Sequence, residues 1–221
     1  MSDLAKVLCA VEYAVGAHEG AYRKSAAGEP YVVHPLRVAQ RLAENGFTDV
    51  ALLQAAILHD VIEDTDVPLG EIEAKFGAKV ARIVGEVTDD KTLSQLQRKK
   101  AQVEHIETMS AAAVAIKLAD ALDNLTDMTR SSPPVKWSPQ KVQGYMVWKA
   151  TIAGKVAGMH PVLDNLLAPI FAGTFSIDDT VYPAIPDHPS CETQLETYYE
   201  LLLCEELERA TAAEKEPSKQ K

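Results

Sequence analysis

Leu58-His59-Asp60-Val61-Ile62-Glu63-Asp64-Thr65 packs one imidazole and three carboxylates directly after the apolar run from Leu52 to Leu58. The run reads as a core helix, and the polar cluster falls at its end. At helical spacing His59 and Glu63 share a face (i, i+4), as do Asp60 and Glu63 (i, i+3), so a cation could meet a nitrogen and an oxygen together. Isolated carboxylates beside a core run are costly to desolvate, whereas a bound metal ion neutralises them. A fraying helix end with a solvated acidic turn would give the same octapeptide, so the rest of the chain has to decide.

Two distant segments tip the balance. His34 lies in Tyr31-Val-Val-His-Pro35, just before a proline suited to a first helical turn. Asp120 lies in Ile116-Lys-Leu-Ala-Asp-Ala-Leu-Asp-Asn124, on one helical face with Lys117 and Asn124. Each alone reads as an ordinary structural residue. Together His34, His59, Asp60 and Asp120 offer two imidazoles and two carboxylates. Such a set leaves positions for water and substrate on a divalent ion such as Mn2+, Fe2+ or Zn2+.

The order His34, His59-Asp60, Asp120 resembles the HD superfamily of metal-dependent phosphohydrolases. Arg23-Lys24 leading to Glu29-Pro-Tyr-Val-Val-His-Pro35, then His59-Asp-Val-Ile-Glu-Asp-Thr65, Glu86-Val-Thr-Asp-Asp-Lys91, Arg98-Lys-Lys-Ala-Gln-Val-Glu104 and Lys117-Leu-Ala-Asp120 are similar to RelA/SpoT homologues. The likeness is to the small alarmone hydrolases, including the metazoan SpoT-type branch, and spans roughly residues 4 to 172. It implies a compact HD-domain helical bundle that hydrolyses guanosine 3′,5′-bis(diphosphate), ppGpp, releasing pyrophosphate from the 3′ position, usually with Mn2+. Glu63 and Asp64 would manage protons, with acid and base unassigned between them. Asn124 would bind ribose or phosphate, Arg23, Lys24 and Lys141 would offset ligand charge, and Tyr145 would face the nucleotide.

Four positions depart from the family pattern: Ala121 and Asp123, where lysine and tyrosine are common, Gln95, where lysine is expected, and Lys141, near an expected arginine. They leave the metal set intact and bear on the phosphate grip. The alternatives are therefore another HD-type nucleotide phosphatase, such as an NADPH 2′-phosphatase, or a non-catalytic nucleotide sensor. Glu63 beside the ligand set favours an enzyme, because binding alone requires no proton-transfer group there.

A chain of 221 residues, 47% hydrophobic and 24% charged, suits one sizeable core with an appendage. No apolar run approaches the ~18 residues of a membrane span, and Asp3 and Lys6 interrupt a secretory-type start. Cys9, Cys191 and Cys204 lack paired metal spacing and fit a reducing compartment, so the expected location is cytoplasmic. A net charge of −10 disfavours a nucleic-acid surface, so the expected partner is a small nucleotide held in a local cationic pocket.

Helical periodicity is read over 4–18 behind Asp3 as cap, 35–44 with a stop at Asn45-Gly46, 48–63, 68–76 closed by Gly77, and around Val80–Val87. It resumes over 93–107, whose Arg98, Lys99 and Lys100 would, apart from the motif they belong to, be merely a wet face, then over 110–128, 139–159 and 161–171. No strand pattern emerges, so the fold class is all-α. Residues 1–172 form the expected hydrolase domain. In the appendage, 173–221, residues 173–189 read as a linker or surface loop. Cys191 to Arg209 follows as an amphipathic helix with a stripe of Leu195, Tyr198, Tyr199, Leu202, Leu203 and Leu207. The same molecule's core is one cover for that stripe, and a second subunit, in a homo-oligomer, is the other. Thr211 to Lys221 reads as a disordered tail. The appendage is expected to stabilise the fold or an oligomer and to supply no catalytic group.

Overall fold

The apolar run around Leu52 forms helix α3 (Val50–Leu58), started by Asp49, whose carboxylate accepts from Leu52 N at 3.0 Å. The computed structural model describes residues 1–23, 28–130 and 133–215, so Lys24 lies outside the described residues. Leu58 and the small residues Ala55 and Ala56 of α3 are fully buried. Small side chains let three helices approach: α1 (Asp3–Ala17), α2 (Val33–Glu44) and α6 (Ala78–Val87) pack around α3. The long α8 (Ala111–Arg130) lies across α2, α6 and α10 (Pro161–Phe171), with Ala113, Ile116, Ala119 and Leu125 facing the core. Burial of this stripe, at about 25 cal/mol per Å² of apolar area, holds the bundle together. No helix among the described residues is long and apolar enough to cross a membrane.

Several boundaries correct the sequence reading. Ser2, not Asp3, caps α1, its hydroxyl accepting from Ala5 N at 3.3 Å, and Asp3 occupies the first turn. The helix expected over 48–63 is interrupted: α3 ends at Leu58 and a single turn, α4 (Val61–Asp64), follows. His59 Nδ1 lies 2.8 Å from the Ala56 carbonyl oxygen, the acceptor that a continuing helix would offer to Asp60 N–H. The side chain thus takes a backbone partner at the point where the chain bends.

The helix α5 (Leu69–Phe76) precedes α6, and α7 (Gln95–His105) opens with a reciprocal Ser94/Gln97 capping box. The helix α9 (Pro139–Lys155) starts behind Ser138. Residues 174–183 are not a plain linker. Strands β1 (Thr174–Ile177) and β2 (Thr180–Pro183) pair antiparallel through a turn in which Asp178 and Asp179 have φ of 47° and 62°. Aspartate tolerates this left-handed geometry, so two aspartates inside the segment read as a loop make a hairpin turn. The final helix, α11 (Cys191–Lys215), extends into the first five residues of the segment read as a disordered tail, and residues 216–221 lie outside the described residues.

The apolar stripe of α11 is covered largely by the same molecule. Tyr198 and Leu202 are buried where α11 packs on α9 and α7, while Leu203 and Leu207 stay exposed. Gly144 makes this packing possible: a Cβ there would lie 2.5 Å from a ring carbon of Tyr198. Glycine is costly inside a helix, and at position 144 it lets a second helix come close.

Candidate active site

The bend after α3, the start of α2 and the middle of α8 converge on one buried cluster. His34 Nε2 is 3.2 Å from Asp120 Oδ1 and 3.7 Å from Asp60 Oδ2, and His59 Nε2 is 3.2 Å from Asp60 Oδ1. His34, His59 and Asp120 each offer one ligand atom, and these atoms all lie within 4.8 Å of one another. With Nδ1–H assigned to the Ala56 carbonyl, His59 turns the lone pair of Nε2 into the cluster. That nitrogen is buried and has no hydrogen-bond partner. An orphaned imidazole acceptor among carboxylates is what a divalent cation would satisfy, so the donor set fits a metal ion.

His34 is oriented by Asp123, whose Oδ2 is 2.8 Å from His34 Nδ1. Asp123 is fully buried and also accepts from Arg37 Nε at 3.3 Å and Arg41 Nε at 3.2 Å. Burial alone would raise its pKa, but His34, Arg37 and Arg41 hold it below the usual carboxylate value. Sequence reasoning noted Asp123 only as a departure. The available signal was the matching of two helical faces, Arg37 and Arg41 on α2 against Asp120, Asp123 and Asp127 on α8.

Charge balance around the ligands is tight. Burial would lower the His34 pKa, but Asp120, Asp123 and Asp60 outweigh it and push it up to about 9, so a proton and a cation compete for this imidazole. Burial would raise Asp120, yet Lys149 and His34 hold it well below its ordinary value. The Lys149 Nζ is buried 2.9 Å from Asp120 Oδ2. It was missed, although it lies four residues beyond Tyr145 on the same helix face. Burial would also raise Asp60, but His59 and His34 keep it low, and its Oδ2 accepts from the Tyr31 hydroxyl at 2.7 Å.

A cavity of about 450 Å³ opens from this cluster, walled by Glu63, Arg98, Lys99, Lys117, Tyr145, Lys149 and Arg209, among others. Burial, reinforced by Asp89 against the opposing charge of Lys117, pushes the Glu63 carboxyl up to about 6. Arg98 Nη1 is 3.7 Å from Glu63 Oε1, and Arg98 Nε is buried without a partner. Lys99 Nζ lies 3.4 Å over the Trp148 ring. Its burial, with Lys149 nearby, holds its pKa well below the ordinary lysine value. Arg98 and Lys99 are thus cavity wall rather than the wet face read from the sequence, because α7 packs against α9 and α11. Lys100 does lie outside the cavity, 5.0 Å over the Tyr199 ring.

Arg23, Tyr31, Asn124 and Tyr145 also wall a neighbouring cavity of about 460 Å³, together with Asp64 and Trp137. Arg23 Nη2 donates to Asp127 Oδ2 at 2.8 Å and Asn124 Oδ1 at 3.1 Å, and Asn124 Nδ2 donates to Asp120 Oδ1 at 2.6 Å. The four ligand candidates, Glu63, Arg23, Asn124 and Tyr145 are therefore brought together, with Asp64 on the neighbouring wall. Lys141 is not. Its Nζ lies 2.6 Å from both carboxylate oxygens of Glu205 on α11.

An HD domain family model matches residues 10–148. Over 171 residues the chain is 45% identical to the mouse guanosine-3′,5′-bis(diphosphate) 3′-pyrophosphohydrolase MESH1, covering 77% of this chain and 95% of the relative. The Drosophila melanogaster protein of the same name is 39% identical over 168 residues, 76% of this chain and 93% of that one. Among solved structures, that of a metazoan ortholog of SpoT that hydrolyses ppGpp and plays a role in starvation responses superposes with a TM-score of 0.73 at 39% identity, covering 76% of this chain and 94% of the other.

Proposed function

This chain belongs to the HD-domain hydrolases, in the family of the metazoan guanosine-3′,5′-bis(diphosphate) 3′-pyrophosphohydrolases, and from that premise we propose that it hydrolyses ppGpp to pyrophosphate and a guanosine 5′-phosphate. The observation that carries the reading is the buried, unpartnered His59 Nε2 facing His34, Asp60 and Asp120, with Glu63 on the cavity wall beside them. His34, His59, Asp60 and Asp120 would hold the divalent ion, Mn2+ in this proposal and Fe2+ or Zn2+ as alternatives. When bound, such an ion supplies a more acidic water and a polarised phosphoryl group.

Glu63 is the proton-transfer residue of this reading. A carboxyl at about 6 can take a proton and give it up near neutral pH. Glu63 shares the cavity of the ligand set, whereas Asp64 faces the neighbouring cavity. Water adds across the bond between the 3′ oxygen and its phosphorus. Glu63 accepts the proton of the attacking water and returns it to the departing 3′ oxygen, while the hydroxyl stays with pyrophosphate. Arg98, Lys117 and Lys149 offset phosphate charge in a chain whose net charge is −10. Arg23, Asn124 and Tyr145, shared by both cavities, hold the nucleoside at their junction. The compartment of this reading is the cytoplasm, consistent with three free, exposed cysteines.

One observation favours a second reading, removal of a single phosphate from another nucleotide such as NADPH. Lys141 is engaged by Glu205 and Gln95 is neutral, which leaves two fewer cations for a polyphosphate. Product analysis with Mn2+ decides. Pyrophosphate released from ppGpp is the expected result, inorganic phosphate from NADPH alone would overturn it, and binding of both without turnover would make the protein a sensor.

A further inference from the structure

We propose that Arg209, on the C-terminal helix, is a phosphate-binding residue of the cleft, so that the segment beyond the HD domain builds part of the substrate site. The proposal rests on the nucleotide-polyphosphate reading above. Arg209 is the one described residue of α11 that walls the 450 Å³ cavity, together with Glu63, Arg98 and the ligand candidates. Among the described residues, no other part of the chain after residue 149 reaches that cavity.

The position of Arg209 is fixed by a series of contacts along α11. Tyr198 and Leu202 are buried against the helices beneath, with Tyr198 seated at Gly144. One turn on, Glu205 takes the Lys141 ammonium at 2.6 Å, and Glu206 Oε1 accepts from Leu96 N, in the first turn of α7, at 2.8 Å. The next turn carries Arg209 to the start of α7, where its Nη2 donates to Gln95 Oε1 at 3.1 Å and its Nε to the Glu205 carbonyl at 3.0 Å.

These partners orient the guanidinium without neutralising it. Gln95 is an amide, and the nearest carboxylate, Glu205, is 3.9 Å away and already paired with Lys141. The Arg209 side chain remains 61% exposed. A planar, permanently charged donor fork, held by neutral acceptors on a cavity wall, suits a phosphate group, which it can meet with two parallel N–H donors. Arg98, whose buried Nε is unpartnered, stands on the same wall as a second guanidinium.

The test uses full-length, Mn2+-loaded protein as wild type, Arg209→Ala and Arg209→Lys. Steady-state kinetics with ppGpp and calorimetric binding of inorganic pyrophosphate are the readouts. Arg209→Ala is expected to raise KM on the order of tenfold with kcat within about threefold, the pattern for a binding contact kept through the reaction. Pyrophosphate affinity should fall by a similar factor, Arg209→Lys should recover part of it, and the melting temperature should stay within about 2 °C because the side chain is exposed. Unchanged KM and unchanged pyrophosphate affinity overturn the proposal, as does a loss of kcat that tracks a loss of thermal stability. Failure of the wild type to hydrolyse ppGpp would defeat the substrate reading instead. Pyrophosphate affinity would still decide Arg209, and equal affinity in wild type and Arg209→Ala, including none in either, overturns it.

Discussion

The two sides of the cleft are built on different physical terms. On the side formed by α2, the α3–α4 bend and α8, short side chains are buried and each is held twice. His59 lies between Ala56 and the cluster, and His34 between Asp123 and Asp120. On the side formed by α7, α9 and α11, long cations reach in from the outside: the Arg98 and Arg209 side chains are partly exposed. Short buried ligands give geometric precision at a high desolvation cost, so removing one should cause a large loss. Long cations on a wet wall give charge with little geometric constraint, so removing one should cause a graded loss.

The largest effect is expected from His59→Ala and Asp60→Ala. Each removes a candidate ligand from a small set, so Mn2+ affinity should fall by more than the ~10–100-fold typical of losing an outer-shell partner, and Mn2+ retained per chain after dialysis, measured by atomic emission, should drop well below stoichiometric. Retained stoichiometric metal in either variant would erase the distinction between the two walls. Glu63→Gln comes next. Metal content and KM should stay near wild type while kcat falls on the order of 10²–10⁴-fold, the range for losing proton transfer. As the base, Glu63 must be ionised, so kcat/KM should rise with pH through a value at or below about 6, because a nearby cation favours the carboxylate. That limb should vanish in Glu63→Gln, and a limb that survives would move the role to another group.

The legible part of this molecule was the part encoded locally. The apolar run into His59-Asp60 marks a helix and its polar end within eight residues, whereas His34 and Asp120, each ordinary alone, become readable only in their order with that pair. The bend at His59 was not legible, because it depends on a side chain taking the Ala56 carbonyl, which helical periodicity does not report. Lys99 and Lys149 were obscured for a related reason: on a charged helix a buried lysine and a solvated one look alike until the packing partner is known. Gly144 and the Asp178-Asp179 turn show the same limit, since their value lies in Tyr198 and in strand pairing elsewhere in the chain.

Asp123 tests whether the buried wall extends past its first layer. Asp123→Asn keeps the shape but removes the charge that orients His34 and pairs with Arg37 and Arg41. Metal affinity should fall about 10–100-fold, between the effects of ligand loss and wall loss. The thermal midpoint should also drop, because two partly buried guanidiniums lose their counter-charge. An unchanged Mn2+ titration would show that His34 orientation does not depend on Asp123.

The smallest effect is expected at Lys141, and it separates the two walls from the other direction. Its ammonium lies on Glu205, ties α9 to α11 and walls neither cavity described above. Exposed or half-exposed pairs of this kind contribute about 0–1 kcal/mol, and the Lys141 and Glu205 side chains are 14% and 30% exposed. Lys141→Met, which keeps the aliphatic stem, should therefore lower the melting temperature by a few degrees at most and leave KM for ppGpp within about twofold. Glu205→Gln should do the same, and the double variant should lose little more than either single one, since one contact is removed in all three. A tenfold rise in KM for Lys141→Met with no such rise for Glu205→Gln would mean that the lysine leaves Glu205 to meet substrate. In that case the cationic wall would include a residue that the resting geometry directs elsewhere, and its graded, long-armed character would be a matter of movement as well as of exposure.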